Sequence, residues 1–406
     1  MTESSTAWKV NLWVSGSGSF INIVAMTIML PFLPRYLETL GSYSEGETYI
    51  WSSLIYSATF ITAALFAPLW GRLSDRYGCR INLIRASIGM FICMTLMGLA
   101  TSAEQMLVLR LLVGVAGGYT SGATILMIRE APEARVGYAQ GVLSACILAG
   151  SLMGPVLGGF LSAWVGMREA LLITGGMILL NVLATGLLIR ESHVPGSVTS
   201  TAKRRVPLSA GVWVLLMATS GVVVANLSIK PIIYNIVSGV NHAPLQATAA
   251  AGIVLSATAL GCLLSSLWLG SLADRYGAPR VAMYGLVLGA LLIIPQALAT
   301  DVYVLTLLRF AMGLALGGVL PCLKAALKHA YSDVASLGRV MGLSTSFQYL
   351  GQVVGPLTGG IVAATWGSAH VFHVTAIVAL ACALLIAVER SYSRKSLVSE
   401  KTDSCL

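Results

Sequence analysis

The strongest constraint on this chain is a polar octet that occurs twice. Gly71-Arg-Leu-Ser-Asp-Arg-Tyr-Gly78 returns 199 residues later as Gly270-Ser-Leu-Ala-Asp-Arg-Tyr-Gly277, with six of the eight residues unchanged. Each copy separates two long apolar segments, and the spacing is close to half of the 406 residues. A polar turn at the same place in both halves predicts two bundles of the same architecture.

The duplication extends well beyond the octet. The matching pairs keep their order along the chain: Pro31 and Pro231, Arg80 and Arg280, Arg110 and Arg309, and Gly150-x-x-x-Gly-Pro-x-x-Gly-Gly159 and Gly351-x-x-x-Gly-Pro-x-x-Gly-Gly360. Six-helix halves repeated in parallel are one architecture of secondary transporters, which bind substrate near the membrane midplane between the halves.

The composition shows that these bundles are built for lipid. Hydrophobic residues make up 56% of the chain and charged residues 10%, whereas soluble domains are about one-quarter charged. Windows of about 20 apolar residues predict membrane-spanning helices. We predict twelve spans, with soft edges: 11–34, 49–70, 81–101, 105–128, 137–162, 169–190, 208–234, 247–270, 279–299, 302–326, 338–363 and 371–389.

These spans predict an all-α membrane protein of two six-helix bundles related by pseudo-two-fold symmetry. We expect the first bundle over residues 1–190 and the second over 208–390. The segment 191–207 contains Pro, Gly and a Ser/Thr run, which is typical of a flexible linker. Residues 391–406 form a short polar tail.

The net charge of +9 is explained by topology. Most of the 25 Lys and Arg residues fall on one side of the predicted spans, which is the positive-inside bias of membrane proteins. The bias places both termini in the cytoplasm and argues against a nucleic-acid partner. The seven Cys and five His residues lack metal-ligand spacing, so we expect no metal or cofactor. The spans also lack the paired acids or nucleophile–base pair that an enzyme needs.

Three stretches carry a family resemblance: Gly71-x-Leu-x-Asp-Arg-x-Gly-x-Arg80, the segment Gly150–Gly159, and Met29-Leu-Pro-Phe-Leu-Pro-Arg-Tyr36. They resemble motifs of the major facilitator superfamily, and in particular of its bacterial twelve-helix drug:proton antiporters, the MdtG-like proteins. The tetracycline exporters are more distant. The likeness covers the whole chain. It implies export by alternating access, with the proton as coupling ion.

The octet predicts a gate at the cytoplasmic side. Its glycines permit a tight reversal between two helices, and Asp75 can face a helix N-terminus, whose partial charge favours a carboxylate. Arg76 and Arg80 can pair with an acid such as Glu130 or Glu133. The alternative is a simple positive turn that sets topology. The predicted gate residues are Gly71, Asp75, Arg76, Gly78, Arg80 and Glu130, with Asp274 and Arg275 in the second copy.

The fifth span carries a stripe of small residues. Gly150, Gly154 and Gly158 lie on one face at four-residue spacing, which lets another helix approach closely. Pro155 removes a backbone donor and can bend the span. Packing alone explains this pattern; the resemblance assigns it, together with Gly159, to the antiporter motif.

Three cations lie within spans, where charged residues are rare and usually functional. Arg110 and Arg309 follow Glu104 and Asp301 near outer span ends, so snorkelling beside an acid is the alternative. The resemblance favours Arg110 as the residue that assists proton coupling. Lys230 has no neighbouring acid in the sequence and is predicted to face substrate or a coupling proton, or else to snorkel outward.

A polar stripe leads to Lys230 in the seventh span. Thr219 and Asn226 share its helical face. The weaker candidates for substrate contact are Asn22, Gln348, Tyr349 and Gln352. A lone amide in a span is as often a link between helices as a binding group.

The first span contains no acid, although many related antiporters carry one there for cationic drugs. Anionic, zwitterionic or neutral solutes therefore suit this chain better. We predict export of small amphiphilic drugs or metabolites in exchange for protons. The alternatives are export of an anionic metabolite such as a carboxylate siderophore, and proton-coupled uptake of a small organic anion. We expect a monomer in the bacterial inner membrane, with the bilayer and a small solute as partners.

Overall fold

A computed structural model describes residues 2–191, 209–240, 244–330 and 334–403. The predicted all-α class is confirmed, because these residues form helices joined by short turns and no strand. The predicted linker lies outside the described residues from 192 onward. The last helix continues to Asp403, through most of the predicted tail.

The first half of the chain contains eight α-helices. They are α1 (Thr2–Thr27), α2 (Leu33–Leu40), α3 (Glu45–Tyr77), α4 (Cys79–Gly98), α5 (Ala103–Ala116), α6 (Tyr119–Glu130), α7 (Val136–Trp164) and α8 (Met167–Leu188), with a 3₁₀ turn at Glu133–Arg135.

Eight more α-helices follow in the same order. They are α9 (Ala210–Leu227), α10 (Ile233–Val240), α11 (Pro244–Tyr276), α12 (Ala278–Ile293), α13 (Val302–Leu316), α14 (Val319–Ala330), α15 (Val334–Trp366) and α16 (Ser368–Asp403), with 3₁₀ turns at Lys230–Ile232 and Ile294–Leu298.

The breaks in these helices repeat with the sequence. α1 ends at Thr27 before Pro31, and α9 ends at Leu227 before Pro231. Proline cannot donate the hydrogen bond that would continue a helix, so both spans close with a turn and a short outer helix. The duplication therefore determines the irregular parts of the fold as well as the helices.

Ten described segments are long and apolar enough to cross a membrane, counting α5 with α6 and α13 with α14 as continuous segments. The other two predicted spans, 11–34 and 338–363, fall largely in α1 and α15. Both helices are rich in Gly and Ser, and α1 adds Asn residues and α15 Gln residues, which lowers their hydropathy. Polar residues inside a span usually face other helices, and α1 and α15 make extensive contacts with α7 and α9 respectively.

The chain divides into two compact units. Unit 1 comprises Met1–Ser200 with Lys230–Ala259, and unit 2 comprises Thr201–Ile229 with Leu260–Leu406. The predicted boundary followed the sequence repeat, whereas contacts group the segment Lys230–Ala259 with the first half.

Each unit has its own helix pairs. In unit 1, α1 packs on α7 and α4 packs on α8; in unit 2, α9 packs on α15 and α12 packs on α16. Buried apolar residues of unit 1 form one cluster around Phe32 and Met97 and a second cluster around Leu83 and Leu126. Tyr36 fixes the outer turn because its hydroxyl donates to the carbonyl of Met97 at 3.0 Å.

Candidate functional site

The first octet forms the turn between α3 and α4. α3 ends at Tyr77, and Gly78 takes a φ of +93°. This region of backbone space is essentially restricted to glycine. A Cβ on Gly78 would also lie 2.7 Å from a carboxylate oxygen of Glu191. Gly78 is therefore required both by its backbone angle and by the group packed against it.

Glu191 caps the start of α4. Its carboxylate accepts the backbone N–H of Cys79 at 2.8 Å and that of Arg80 at 2.9 Å. The first N–H groups of a helix have no partner within it and carry partial positive charge, so a carboxylate stabilises them. The sequence predicted that Asp75 faces a helix N-terminus. In the structure, the carboxylate at the start of α4 is that of Glu191, which follows α8 in the chain.

Asp75 forms an ion pair with Arg129. The oxygen and nitrogen lie 2.8 Å apart, and the pair joins the C-terminal end of α3 to the C-terminal end of α6 within unit 1. The side chain of Asp75 is 50% exposed and that of Arg129 is 20% exposed. Partly exposed ion pairs stabilise a fold by about 1 kcal/mol or less. This pair is therefore weak enough to open and reform during a conformational change.

The two arginines of the first octet region have different contacts. Arg76 lies over the ring of Tyr77, with 5.3 Å from the guanidinium carbon to the ring centre. Arg80 donates to the carbonyl of Gly186 in α8 at 2.5 Å. Gly71 lies one turn before Asp75 in α3, and a Cβ on it would meet open space. Glu130 is the last residue of α6, directly after Arg129.

A second group of polar contacts in unit 1 surrounds Arg85 of α4. The guanidinium of Arg85 stacks on Trp70 at 3.5 Å from the ring centre. It also donates to the carbonyl of Gly117 at 2.8 Å and to the side chain of Asn82. Gly117 and Gly118 separate α5 from α6, and the break exposes carbonyls that a continuous helix would use. Arg85 fills the space at this break and donates a hydrogen bond to one of its exposed carbonyls.

The second octet has fewer described contacts. Gly277 repeats the positive backbone angle with a φ of +90°, but a Cβ there would meet no atom within 4 Å. Asp274, Arg275 and Arg280 are exposed. Among residues whose side chains are described, none pairs with Asp274. The two copies share a turn but differ in the groups around it.

The glycine stripe of α7 lies against α1. A Cβ on Gly150 would lie 2.8 Å from the carbonyl oxygen of Phe20, and Cβ atoms on Gly154 and Gly158 would overlap Thr27 and Ile28. This is the close helix approach that small residues allow. The second copy repeats it, since Gly351, Gly355 and Gly359 of α15 face α9 in the same way.

The end of the motif faces α11 inside unit 1. A Cβ on Gly159 would lie 2.5 Å from the carbonyl oxygen of Thr248, and a Cβ on Gly252 would overlap the carbonyl of Pro155. Ser256 donates to the carbonyl of Leu152 at 2.6 Å. Pro155 is accommodated within α7, which runs unbroken to Trp164. The motif therefore seats α7 between two helices.

The embedded arginines are buried and have no acid beside them. Arg110 is 2% exposed and donates to the carbonyl of Met26 at 3.4 Å, one turn beyond Asn22 on α1. Arg309 is 1% exposed and lies over Phe372 at 5.9 Å. Neither forms an ion pair within the described part of the chain, so the salt bridges to Glu104 and Asp301 that snorkelling would favour are not formed.

The polar candidates mostly bond to their own helices. Asn22 donates to Gly18, Asn226 to Val222 and Gln348 to Ser344, in each case at the carbonyl four residues earlier; Gln352 lies half-buried one turn beyond Gln348. Thr219 is fully buried. Each amide keeps its carbonyl oxygen for another partner. Lys230, half-buried, opens the 3₁₀ turn after α9 rather than continuing the helix.

Sequence reasoning did not name Arg129, Glu191 or Arg85 as site residues. Arg129 adjoins the predicted Glu130, and Glu191 is the first acid after α8. Both come close to the octet only through packing of distant helices. A useful signal was available for Glu191, because a helix start with exposed N–H groups favours an acid from a neighbouring loop.

Comparison with protein families gives two matches to one family. A model described as Major Facilitator Superfamily matches residues 16–249 and again residues 221–403. Among curated proteins, multidrug resistance protein MdtG of Rahnella sp. (strain Y9602) is 36% identical over 378 residues, covering 92% of each chain. MdtG of Salmonella paratyphi A is 36% identical over 383 residues, covering 92% of this chain and 93% of its own.

Solved structures show the same fold. A bacterial homologue of the human lysosomal transporter Spinster, in an inward-facing and unoccupied conformation, has a TM-score of 0.77 at 16% identity, covering 96% of this chain and 98% of that chain. The human organic anion transporter MFSD10 (TETRAN) has a TM-score of 0.66 at 19% identity, covering 93% of this chain and 99% of its own.

Proposed function

Because the chain belongs to the Major Facilitator Superfamily, we propose that it exports small amphiphilic drugs or metabolites in exchange for protons. The observation that carries this proposal is 36% identity to MdtG multidrug resistance proteins over 92% of the chain. The chain is a multi-pass membrane protein. We place it in the bacterial inner membrane. The distribution of Lys and Arg favours cytoplasmic termini. We propose that the protein transports as a monomer.

The solute is proposed to be anionic, zwitterionic or neutral. No Asp or Glu occurs between residues 4 and 37, so α1 offers no carboxylate to a cationic drug. The embedded charges, Arg110, Arg309 and Lys230, are all cationic. Arg110 and Arg309 form no ion pair within the described part of the chain, and a buried cation of this kind favours an anionic group nearby. A substrate carboxylate would supply that group.

The inner network is proposed to act as the gate of alternating access. The Asp75–Arg129 pair is short and partly exposed, and Glu191 holds the start of α4. Since an ion pair of this kind contributes little to the folded state, its opening can accompany a rearrangement of α3 and α6. Glu191 and Gly78 keep the turn intact while the pair changes.

The glycine stripe is proposed to hold α7 against α1 as the unit moves. Its backbone contacts leave no space for larger side chains. Proton coupling is proposed to involve Arg110, Lys230 or an ionisable group of the substrate itself. Asn22 and Asn226, with Gln348 and Gln352, would add hydrogen bonds to the solute through their free amide oxygens.

A second candidate is an exporter dedicated to one anionic metabolite, such as a carboxylate siderophore. The embedded cations favour it over a broad cation exporter. Proton-coupled uptake of a small organic anion uses the same charges in the opposite direction, and the α7 motif is the feature that favours export.

A deletion strain and its complement test the proposal. Export predicts lower tolerance of amphiphilic drugs, or intracellular accumulation of a metabolite, in the deletion strain, with recovery on complementation. Collapse of the proton gradient with an ionophore should abolish the difference. Loss of solute uptake in the deletion strain, with no change in excretion, would contradict export and support the uptake alternative.

A further inference from the structure

Unit 2 carries an open groove that the proposed transport does not use. It has a volume of about 660 Å³ and lies between α11, α12 and α13. Its lining includes Leu269 of α11, Tyr284 and Leu288 of α12 and Ala315 of α13. Tyr284 is 65% and Leu288 51% exposed. Exposed apolar side chains on a membrane-spanning helix face lipid, so the groove opens to the bilayer.

Two positions that line this groove hold different residues in the two repeats. In unit 1 the corresponding positions hold Arg85 and Trp70, which stack at 3.5 Å and bond to the break between α5 and α6. In unit 2 they are Gly285 and Leu269, both of which line the groove. The stacked pair of unit 1 therefore has no equivalent in unit 2, where α12 packs closely on α13 at Gly285: a Cβ there would lie 2.8 Å from the carbonyl oxygen of Ala315.

The groove has the length of one lipid leaflet. Its lining on α12 runs from Arg280 to Leu292, which at 1.5 Å per residue is about 18 Å. One leaflet of hydrocarbon is about 15 Å deep, half of a bilayer core. An acyl chain that enters beside Arg280 would reach the end of the groove near the bilayer centre.

The groove has a polar mouth at the end predicted to be cytoplasmic. Arg280 lies there with Tyr276 and Tyr284, the latter one helical turn further along α12. Arg280 is exposed and makes no side-chain hydrogen bond or ion pair with any residue whose side chain is described. Its counterpart Arg80 donates to the carbonyl of Gly186 in α8.

We propose that this groove binds an anionic phospholipid of the cytoplasmic leaflet. The acyl chain lies between α11, α12 and α13, and the phosphate meets the guanidinium of Arg280. Charge complementarity, the leaflet-length apolar channel and the tyrosines at the headgroup level all favour this occupant. Aromatic side chains with a polar end are enriched at that level of the membrane. The proposal is independent of what the protein transports.

Native mass spectrometry of the full chain in detergent tests the site. Phosphatidylglycerol, phosphatidylethanolamine and glycerol phosphate are titrated separately, to distinguish an anionic lipid, a zwitterionic lipid and a headgroup without chains. We expect phosphatidylglycerol to bind about fivefold more tightly than phosphatidylethanolamine, the effect of one basic residue near an anionic headgroup. Glycerol phosphate should not bind.

Two variants remove the site by different means. Arg280→Gln should reduce phosphatidylglycerol affinity to the level of phosphatidylethanolamine. Leu269→Trp restores the residue type found at Trp70 and should reduce retention of both lipids by filling the groove. The matched controls Arg190→Gln and Leu291→Trp change an inner arginine of unit 1 and an exposed leucine of α12 outside the groove. They should bind lipid as the parent does.

Three results would overturn the proposal. Equal binding of the two phospholipids would remove the role of charge. Equal losses in Arg280→Gln and Arg190→Gln would indicate general attraction to a basic surface. Retention of phosphatidylglycerol by folded Leu269→Trp would show that the chain lies outside the groove.

Discussion

The two copies of the duplicated segment use the same helices but fill the space between them differently. In unit 1, Arg85 and Trp70 occupy the junction of α3, α4 and α5, and Arg80 bonds to Gly186. In unit 2, Gly285 and Leu269 hold the matching positions and line the groove, and Arg280 lies at its mouth. The duplication therefore determines helix order and breaks, whereas the side chains at a few matching positions differ between the units.

The gate shows the same contrast. Unit 1 surrounds its octet with Arg129 and Glu191, and both make short bonds. The second octet repeats the turn at Gly277 with open space beside it. The first copy is therefore the more constrained, and substitutions there should have larger effects than the same substitutions in unit 2.

The largest difference is expected for the aspartates of the octets. Asp75→Asn removes the charge that pairs with Arg129 and should lower the transport rate by up to about fivefold, since a partly exposed ion pair contributes about 1 kcal/mol or less. Asp274→Asn should have a smaller effect. Transport rates in cells, normalised to the amount of protein in the membrane, measure both. Equal rates for Asp75→Asn and the parent protein would refute the gate.

The glycine stripe should tolerate almost no enlargement in either unit. Gly158→Ala places a methyl group against the carbonyl of Ile28 and should destabilise the protein by about 1–3 kcal/mol. Gly359→Ala should do the same against Ser228. The control Gly141→Ala, in α7 with open space around it, should stabilise by up to about 1 kcal/mol through helix propensity. Thermal unfolding in detergent separates the opposite signs.

The glycines of the two turns sharpen the comparison further. Gly78→Ala and Gly277→Ala share the cost of a positive φ, about 1–3 kcal/mol. Gly78→Ala should cost more, because the added methyl group also displaces Glu191 from the start of α4. The difference in melting temperature between the two variants measures this extra term. Identical values would show that Glu191 does not constrain the turn.

The smallest expected effect concerns selectivity. Lys230→Ala should lower the transport of an anionic solute several-fold and change that of a cationic one less, since an attraction between opposite charges, about 1 kcal/mol at 4 Å in water and more inside a protein, would be lost. Competition between paired anionic and cationic dyes gives the ratio directly. An equal loss for both dyes would show that Lys230 supports the fold rather than the choice of solute.

Much of the fold could be predicted from sequence because two signals are local. Apolar windows identify spans, and repeated Gly and Pro positions identify the breaks at Pro31 and Pro231. The predicted all-α class and membership of the superfamily are confirmed. The end of α9 was harder to predict, because the helix before Pro231 stops at Leu227, about two turns before the end of the predicted span.

The partners within the site were not predictable in the same way. Arg129 lies 54 residues from Asp75, and Glu191 lies 112 residues from Cys79. Charge counting named Glu130 and Glu133 as candidates because they are acids near the inner end of a helix. Which residue contacts the octet depends on how the helices are rotated and packed. A hydropathy pattern predicts neither of these.

Everted inner-membrane vesicles from cells with and without the protein test the central claim directly. In such vesicles the cytoplasmic face is outside, and respiration acidifies the lumen. The account predicts that an added amphiphilic dye enters the lumen only when the protein is present, and leaves when an ionophore collapses the proton gradient. Dye entry that is independent of the gradient, or dye release driven by it, would contradict proton-coupled export.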